Sequence, residues 1–473
     1  MEFAERLSGI VGSAHVLTGD DAARYVLDWT GRYRSSPAAV ARPADSAQVA
    51  AIVRLAHETR TPIVPVSGGT GLAGGTWAPK GALMVSMERL DRIREIREDA
   101  RIAIVEAGVV LAKLHAAAEE RGLAFPLTFG AKGSAMIGGA LSTNAGGSGA
   151  LRHGSARDLC LGIEAVLPDG EVLDLMSELR KDNSGYDLRG LIIGAEGTLG
   201  LITAAVLKLS PKPLAYATAM VAADSLAPTL ALLNRLQEAT GGAVEAFEYM
   251  PDAYVEAHLA RFPQARAPFG ARHPVNIMVE ISATAPLDAT LAPDGTVPIA
   301  TRLEETLAEM LDEGQILDAV VACNEAQRAE MWSRREDAAE VALSRLPLIN
   351  NDIAVPVDKV PVFLERMSAE LAGLDADADS MTVAHLGDGN VHYTVFPSSR
   401  DPAEHDRIME TVEDVALSLG GSFSAEHGIG ITKLPSMSRR KNPAALKLMR
   451  QIKDALDPHG IMNPGKVLPE FGD

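Results

Sequence analysis

The 473-residue chain has room for two large domains, or about three of ordinary size at ~150 residues each. With 47% hydrophobic and 23% charged residues it is composed like a soluble globular protein, which excludes disordered, collagen-like and mucin-like chains. Its net charge of −19 repels phosphate backbones and argues against nucleic-acid binding, yet leaves room for a local basic pocket that takes an acid.

No apolar run reaches the ~18 residues of a membrane span. The N-terminal MEFAERLSGIVG has no basic stretch before an apolar core, so no signal peptide is expected. Cys160 and Cys323 form neither a CxxC pair nor a disulfide framework, which points to a reducing, cytoplasmic setting.

In chain order, SAQVAAIVRLAHETR places Val49, Ile52, Val53 and Ala56 at helical spacing, with Ser46 as its cap. TPIVPV, ALMVSM and IAIVEAGV read as strands, and LAKLHAAAEERG as a helix ended by Gly122. LGIEAVLPDGEVLDL reads as two strands around a PDG turn. LGLITAAVLKL is a further strand, and the PKP of residues 211–213 closes a first domain. Beyond it AYATAMVAA, VEAFEYM and VNIMVEIS read as strands, LAPTLALLNRLQEATGG as a helix and residues 285–300 as a loop. TRLEETLAEMLDEG is an amphipathic helix with Leu303, Leu307, Met310 and Leu311 on one face. This texture predicts an α+β domain on an antiparallel sheet.

Glycine carries the strongest signal: the 42 glycines cluster as SGGTGLAGG (67–75), GAKGSAMIGGALSTNAGGSGALRHG (130–154) and GAEGTLG (194–200). Such clusters mark special backbone or backbone closely approached by a ligand. Residues 69–74 formally match GxGxxG, the dinucleotide fingerprint. That site needs a helix immediately after the loop to hold the pyrophosphate, and the continuation GGTWAPKG cannot supply one. A nest of backbone N–H groups gripping a pyrophosphate fits better.

PIVPVSGGTGLAGG, GAKGSAMIGGALSTNAGG, KDNSGYDLRGLIIGAEGTLGLIT, AHLGDGNVHYTV, SAEHGIGITK and MNPGK occur in this order over roughly residues 35–470. In this the chain resembles FAD-linked dehydrogenases of the vanillyl-alcohol-oxidase (PCMH-type) superfamily, nearest the D-2-hydroxyglutarate and D-lactate dehydrogenases. The resemblance implies an α+β architecture: a two-subdomain FAD-binding domain over 1–213 (core 35–213), a substrate or cap domain over 214–415, and a C-terminal segment over 416–473 that returns to the flavin. It implies that Ser67, Gly68, Gly69, Thr70, Gly71, Gly74 and Gly75 wrap the FAD pyrophosphate. Ser134, Gly138, Gly139, Thr143, Asn144, Gly146 and Gly147 would line the isoalloxazine side, and Glu196, Gly197 and Ile202 would complete the adenosine and ring contacts. Asn463 would return to the flavin pocket. The first loop has no histidine, so the FAD is expected to be non-covalent.

TVAHL and VHYTV flank the turn residues GDGN, a hairpin signature. A four-residue loop pairs Leu386 with Val391 and then His385 with His392, which brings two imidazoles to ~5 Å between Cβ atoms. A pair like this is also found as plain structural neighbours; together with the EHG motif it reads as a grip on a divalent ion, Zn²⁺ above others, with Glu426 as third ligand. His427 would be the general base that takes a substrate hydroxyl proton. Gly428 and Gly430 would let the backbone turn so that Glu426 and His427 reach one site. By resemblance Arg335 in MWSRRED binds the substrate carboxylate, with Arg334 as the neighbouring alternative. Asn390 is a candidate to hydrogen-bond substrate or flavin. Where the hydroxyglutarate branch carries a lysine, this chain has Asn350; Lys433 is the candidate to compensate.

These readings converge on an FAD- and metal-dependent dehydrogenase that oxidises a D-2-hydroxy acid, D-2-hydroxyglutarate or D-lactate-like, by hydride transfer to flavin N5. Its electrons would pass to an external acceptor, an electron-transfer flavoprotein or a quinone. A homodimer is compatible with the sequence. Two other readings use the same scaffold: a metal-independent sugar or polyol oxidase, and a non-catalytic FAD-binding subunit of a larger complex.

Overall fold

A computed structural model describes residues 3–293 and 295–470. The chain divides into two units: one from its start to Gly146, from Gly154 to Pro211 and from Glu426 onward, the other from Gly147 to His153 and from Lys212 to Ala425. The later division falls after Ala425 and not after residue 415. The reason is local: the Pro402–Ser418 helix buries Ile408, Val412 and Val415 in the core of the second unit, and Ser422 bridges to Ala354.

The first unit holds two larger sheets. In one, Ala39–Ala41, Leu83–Ser86 and Ile63–Val66 run parallel, with Val16–Leu17 antiparallel at the edge. The Ser46–Thr59 helix covers it with Val49, Ile52, Val53 and Ala56. Its cap is Asp45, whose carboxylate accepts from Gln48 N at 2.8 Å, and Ser46 is the first helical residue. The other sheet is antiparallel in the order Ile93–Arg97, Ile102–Glu106, Leu201–Lys208, Cys160–Val166, Val172–Leu175. Its edge strand Ile93–Arg97 reads IREIR; charges on an edge hide the apolar alternation, so no strand is visible there from the residues alone.

The second unit is built on one seven-stranded antiparallel sheet in the order Asp318–Val321, Ala215–Ala223, Val275–Ala283, Val244–Pro251, Asp379–His385, Asn390–Phe396, Ile349–Ala354. Helices cover both faces, which is why Val275–Ala283 is buried along its whole length and reads as a continuous apolar run. The helices Leu226–Thr240, Pro298–Asp312, Val360–Leu374 and Pro402–Ser418 lie on one face; Asp252–Arg261 and Glu325–Glu336 lie on the other. The expected loop over 285–300 contains the short helix Pro286–Ala289 and the first residues of Pro298–Asp312. Among the described residues, no helix is long and apolar enough to cross a membrane.

Within Pro298–Asp312 the buried face is Ile299, Leu303, Thr306, Leu307 and Met310, and Leu311 is 38% exposed. Leu311 lies ~100° from Met310 around the helix, enough to leave the stripe. Leu303→Ala should therefore cost about 2–5 kcal/mol in denaturant unfolding, and Leu311→Ala less than about 0.5 kcal/mol.

The short segment Gly147–His153 is fixed to the sheet of the second unit by one carboxylate. Glu245 binds Arg152, meets His153 Nε2 at 3.1 Å and accepts from Ser282 Oγ. Burial alone would raise the Glu245 carboxyl; the bonds from His153 and Ser282 and the charge of Arg152 override it and pull the value down to about 2, from 4.5. A lowered folded value gives stability that is complete above 4.5 and fades as pH falls towards 2. Acid titration of unfolding should show this loss, and Glu245→Gln should flatten the curve across that window.

Candidate active site

In the first unit the loop 67–80 leaves strand Ile63–Val66 without starting a helix, as its glycines and Pro79 dictate. Two kinds of glycine occur here. A Cβ on Gly68 would lie 2.2 Å from the Ser134 carbonyl oxygen, and one on Gly138 would lie 2.7 Å from the Ala107 Cβ. These positions are demanded by the protein's own packing. Gly69 and Gly71 have nothing within 4 Å of such an atom, so their backbone borders open space. Gly139, Thr143 and Asn144 follow on or just after the short Ile137–Ser142 helix, where Thr143 Oγ1 donates to Gly139 O and Asn144 Oδ1 accepts from Arg157 N. Ile202 lies in the core of the antiparallel sheet.

The return segment from Glu426 is bound into this unit. A Cβ on Gly146 would come 2.8 Å from Glu426 Oε1, so the carboxylate rests against the 144–146 backbone. Glu196 accepts from Ile429 N at 2.7 Å and from Gly430 N at 2.8 Å. Burial pushes the Glu196 carboxyl up, against the pull of those two N–H groups and of Lys433 and Lys466. Asn463 donates through Nδ2 to Gly75 O at 3.2 Å and to Glu196 O at 2.7 Å, while its buried Oδ1 has no hydrogen-bond partner. Burial brings the Lys466 ammonium down to about 8, with Glu196 opposing the shift.

The second unit carries the histidine pair, with a register different from the expected one. His385 pairs with Asn390 and His392 with Val383, because the loop is Leu386–Gly389 and Asn390 is already in the strand. The two imidazoles are diagonal neighbours on one face, with ring centroids 5.5 Å apart at 77°. Each also has a buried carboxylate opposite it in the sheet: Glu248 faces His385 and Asp352 faces His392. His385 Nδ1 donates to Glu248 Oε1 at 2.9 Å, and His392 Nδ1 is 4.0 Å from Asp352 Oδ1. The Nδ1–H bond leaves the Nε2 lone pair of His385 as its acceptor, and Arg335 Nη2 lies 3.3 Å from it.

Arg335 is thus part of this cluster, and its Nε donates to Glu248 Oε2 at 2.7 Å. Burial would raise Glu248; its interactions with His385 and Arg335 and the bonds they donate hold it below the usual carboxylate range. Arg334 points elsewhere and donates to Arg266 O at 2.6 Å. Asn390 uses Nδ2 on Asp352 Oδ1 and Ile353 O, both at 3.0 Å, and its buried Oδ1 has no hydrogen-bond partner. Asn350 is exposed, two residues from Asp352 on the same strand face. Ala425 N donates to Asp352 O at 3.3 Å. Lys433 immediately precedes the Leu434–Arg440 helix and makes no side-chain capping bond to it.

Glu248 and Asp352 were missed in the sequence. The available signal was VEAFEYM, where Glu248 shares a face with Ala246 and Met250 in a strand otherwise buried.

Residues 37–176 match the model of an FAD binding domain, and residues 212–467 match that of the C-terminal domain of FAD linked oxidases. A D-2-hydroxyglutarate dehydrogenase from Xanthomonas citri pv. viticola is 35% identical over 452 residues, 94% of this chain and 92% of its own. The mitochondrial D-2-hydroxyglutarate dehydrogenase of Bos taurus is 35% identical over 94% of this chain and 79% of its own. Among solved structures, substrate-bound p-cresol methylhydroxylase superposes with a TM-score of 0.75 at 16% identity, covering 100% of this chain and 97% of its own, and so shares the fold. The 4-ethylphenol oxidase of Gulosibacter chungangensis does so with a TM-score of 0.69 at 20% identity, covering 99% and 97%. The chain belongs to the family of FAD-linked oxidases, in the group that holds these dehydrogenases.

Proposed function

We propose that the protein oxidises a D-2-hydroxy acid, of the D-2-hydroxyglutarate or D-lactate kind, to the 2-oxo acid, using FAD and a divalent metal ion, with Zn²⁺ the ion its donors suit best. The names of its relatives support the substrate class. The observation that carries the reading is the buried cluster in which Glu248 holds His385 on one side and Arg335 on the other, with His392 beside them.

The residues fit both groups. Gly69 and Gly71 border open space, and the Asn463 Oδ1 is buried without a partner, as expected of a cradle for a large polar ligand. The loops 67–75 and 134–147 and the backbone of 194–197 would hold the FAD, which when bound supplies the two-electron acceptor for the hydride leaving the substrate carbon. His385, His392 and Glu426 would hold the metal, which when bound polarises the substrate hydroxyl and lowers its pKa. A carboxylate behind a ligating histidine is the usual way to fix its tautomer, and Glu248 stands in that relation to His385.

The chain's own groups then have distinct tasks. His427 takes the hydroxyl proton. Arg335 keeps Nε on Glu248 and binds the substrate carboxylate through its Nη groups. The Nε2 lone pair that now faces Arg335 Nη2 is the one a metal would use, and the donor so released is one a carboxylate would accept. Asn390, with Nδ2 committed to Asp352, offers Oδ1 to the substrate. Lys433 would supply the cation that Asn350 does not. Electrons leave to an external acceptor.

The test is anaerobic bleaching of the purified yellow protein by a panel of D- and L-2-hydroxy acids. Bleaching by D-2-hydroxy acids that slows after chelation is expected; a colourless protein, or bleaching unaffected by thorough metal removal, defeats the reading, and the latter outcome favours the sugar or polyol oxidase. His427→Ala should keep the flavin and reduce it more than about a hundredfold more slowly. Glu248→Gln should keep the flavin and weaken metal retention by about 10–100-fold, read by metal analysis after dialysis against a graded chelator series.

A further inference from the structure

The stretch that carries Glu426 and His427 has no helix or strand of its own: residues 423–430 run as bends and a turn. A loop without a hydrogen-bonded ladder holds a reactive side chain in place only when its backbone is fixed from outside. Here the fixing group is Glu196. Its carboxylate, buried in the first unit, accepts the N–H of Ile429 on one oxygen and that of Gly430 on the other. Bringing a carboxylate out of water costs several kcal/mol unless such charge-assisted bonds offset it.

Two conformational facts show that the loop and the carboxylate are matched. Glu196 itself has φ 51, a left-handed conformation that costs a side-chain-bearing residue about 1–2 kcal/mol and that glycine would adopt freely. The side chain is therefore retained where the backbone disfavours it. On the loop, Gly428 has φ 75, and a Cβ there would come 2.8 Å from Glu196 Oε1. A Cβ on Gly430 would come closer still, 1.9 Å from the Ala73 carbonyl oxygen, which accepts from Ile431 N and Thr432 N at 2.9 and 3.2 Å.

We propose that Glu196 is the positioning residue of the 427–430 loop: it clamps two consecutive backbone N–H groups so that the base His427 is presented in one fixed orientation. This differs from a role as cofactor ligand, and it rests on the reading of His427 as base. In Glu196→Gln one acceptor oxygen becomes an NH₂ group that faces a backbone N–H, so the clamp opens on one side.

The experiment is a double-mutant cycle on the holoenzyme, reading flavin content, visible spectrum, and the rate constant and half-saturation of anaerobic flavin reduction by the best D-2-hydroxy acid. Glu196→Gln should retain wild-type flavin content and spectrum, slow the saturated rate by roughly 10–100-fold, and change half-saturation by less than about threefold. Glu196→Gln/His427→Ala should be no slower than His427→Ala, since a loosened loop then has no base left to misplace. Multiplicative slowing, or loss of flavin from Glu196→Gln, overturns the proposal in favour of a cofactor contact. A wild-type rate in Glu196→Gln beside a slow His427→Ala overturns the proposal alone, whereas a wild-type rate in His427→Ala overturns the base reading and the proposal with it. If Glu196→Gln gives no soluble holoenzyme, Gly428→Ala displaces the same loop from the same oxygen and should show the same non-additivity with His427→Ala.

Discussion

The arrangement of the second unit depends on the burial of one charge. Glu248 is 1% exposed on a central strand, and an isolated carboxylate there would cost several kcal/mol. It is tolerated because His385 arrives in register from one side and Arg335 from a helix on the other. Register admits no slack: a slip of one residue in Asp379–His385 would turn the imidazole to the opposite face and leave the carboxylate unpartnered. The Glu325–Glu336 helix is fixed by the same logic. Arg328 and Trp332 bond Glu280, and Arg335 bonds Glu248, so positions one and two turns apart lock a single helix face onto two buried acids.

The first unit shows a complementary solution. Its functional loops have almost no regular structure, and they are held by backbone polar groups meeting one another and a few buried side chains. Glu196, Asn463 and the Ala73 carbonyl bind three segments that are far apart in sequence. The chain passes from one unit to the other at Glu426.

The sequence disclosed the fold in proportion to how strongly burial patterned it. The apolar runs of Ala215–Ala223 and Val275–Ala283 and the helix Ser46–Thr59 were legible because each buries a continuous face. Ile93–Arg97 was not, since a charged edge strand carries no such pattern. The two histidines were visible as a pair, yet their pairing partners were not: turn chemistry alone fixes that a hairpin exists, while the sheet decides which residue enters the strand first. Asp352 and the clamp of Glu196 lay beyond sequence reading for one reason. Their partners come from strands, helices and loops remote along the chain, and nothing in a local window distinguishes a buried acid with a partner from an exposed one.

Strand Ile63–Val66, from the first seventh of the chain, is bonded to its far end: Ile63 N donates to Ile461 O at 2.7 Å and Asn463 N donates to Ile63 O at 2.8 Å. A ribosome must therefore make nearly the whole polypeptide before this strand acquires its last neighbour. Contacts of such long range form slowly, and the nascent N-terminal portion has to wait with that edge uncovered while the intervening seven-stranded sheet can already assemble. The order of synthesis thus favours a protein whose second unit can mature first and whose first unit is sealed last.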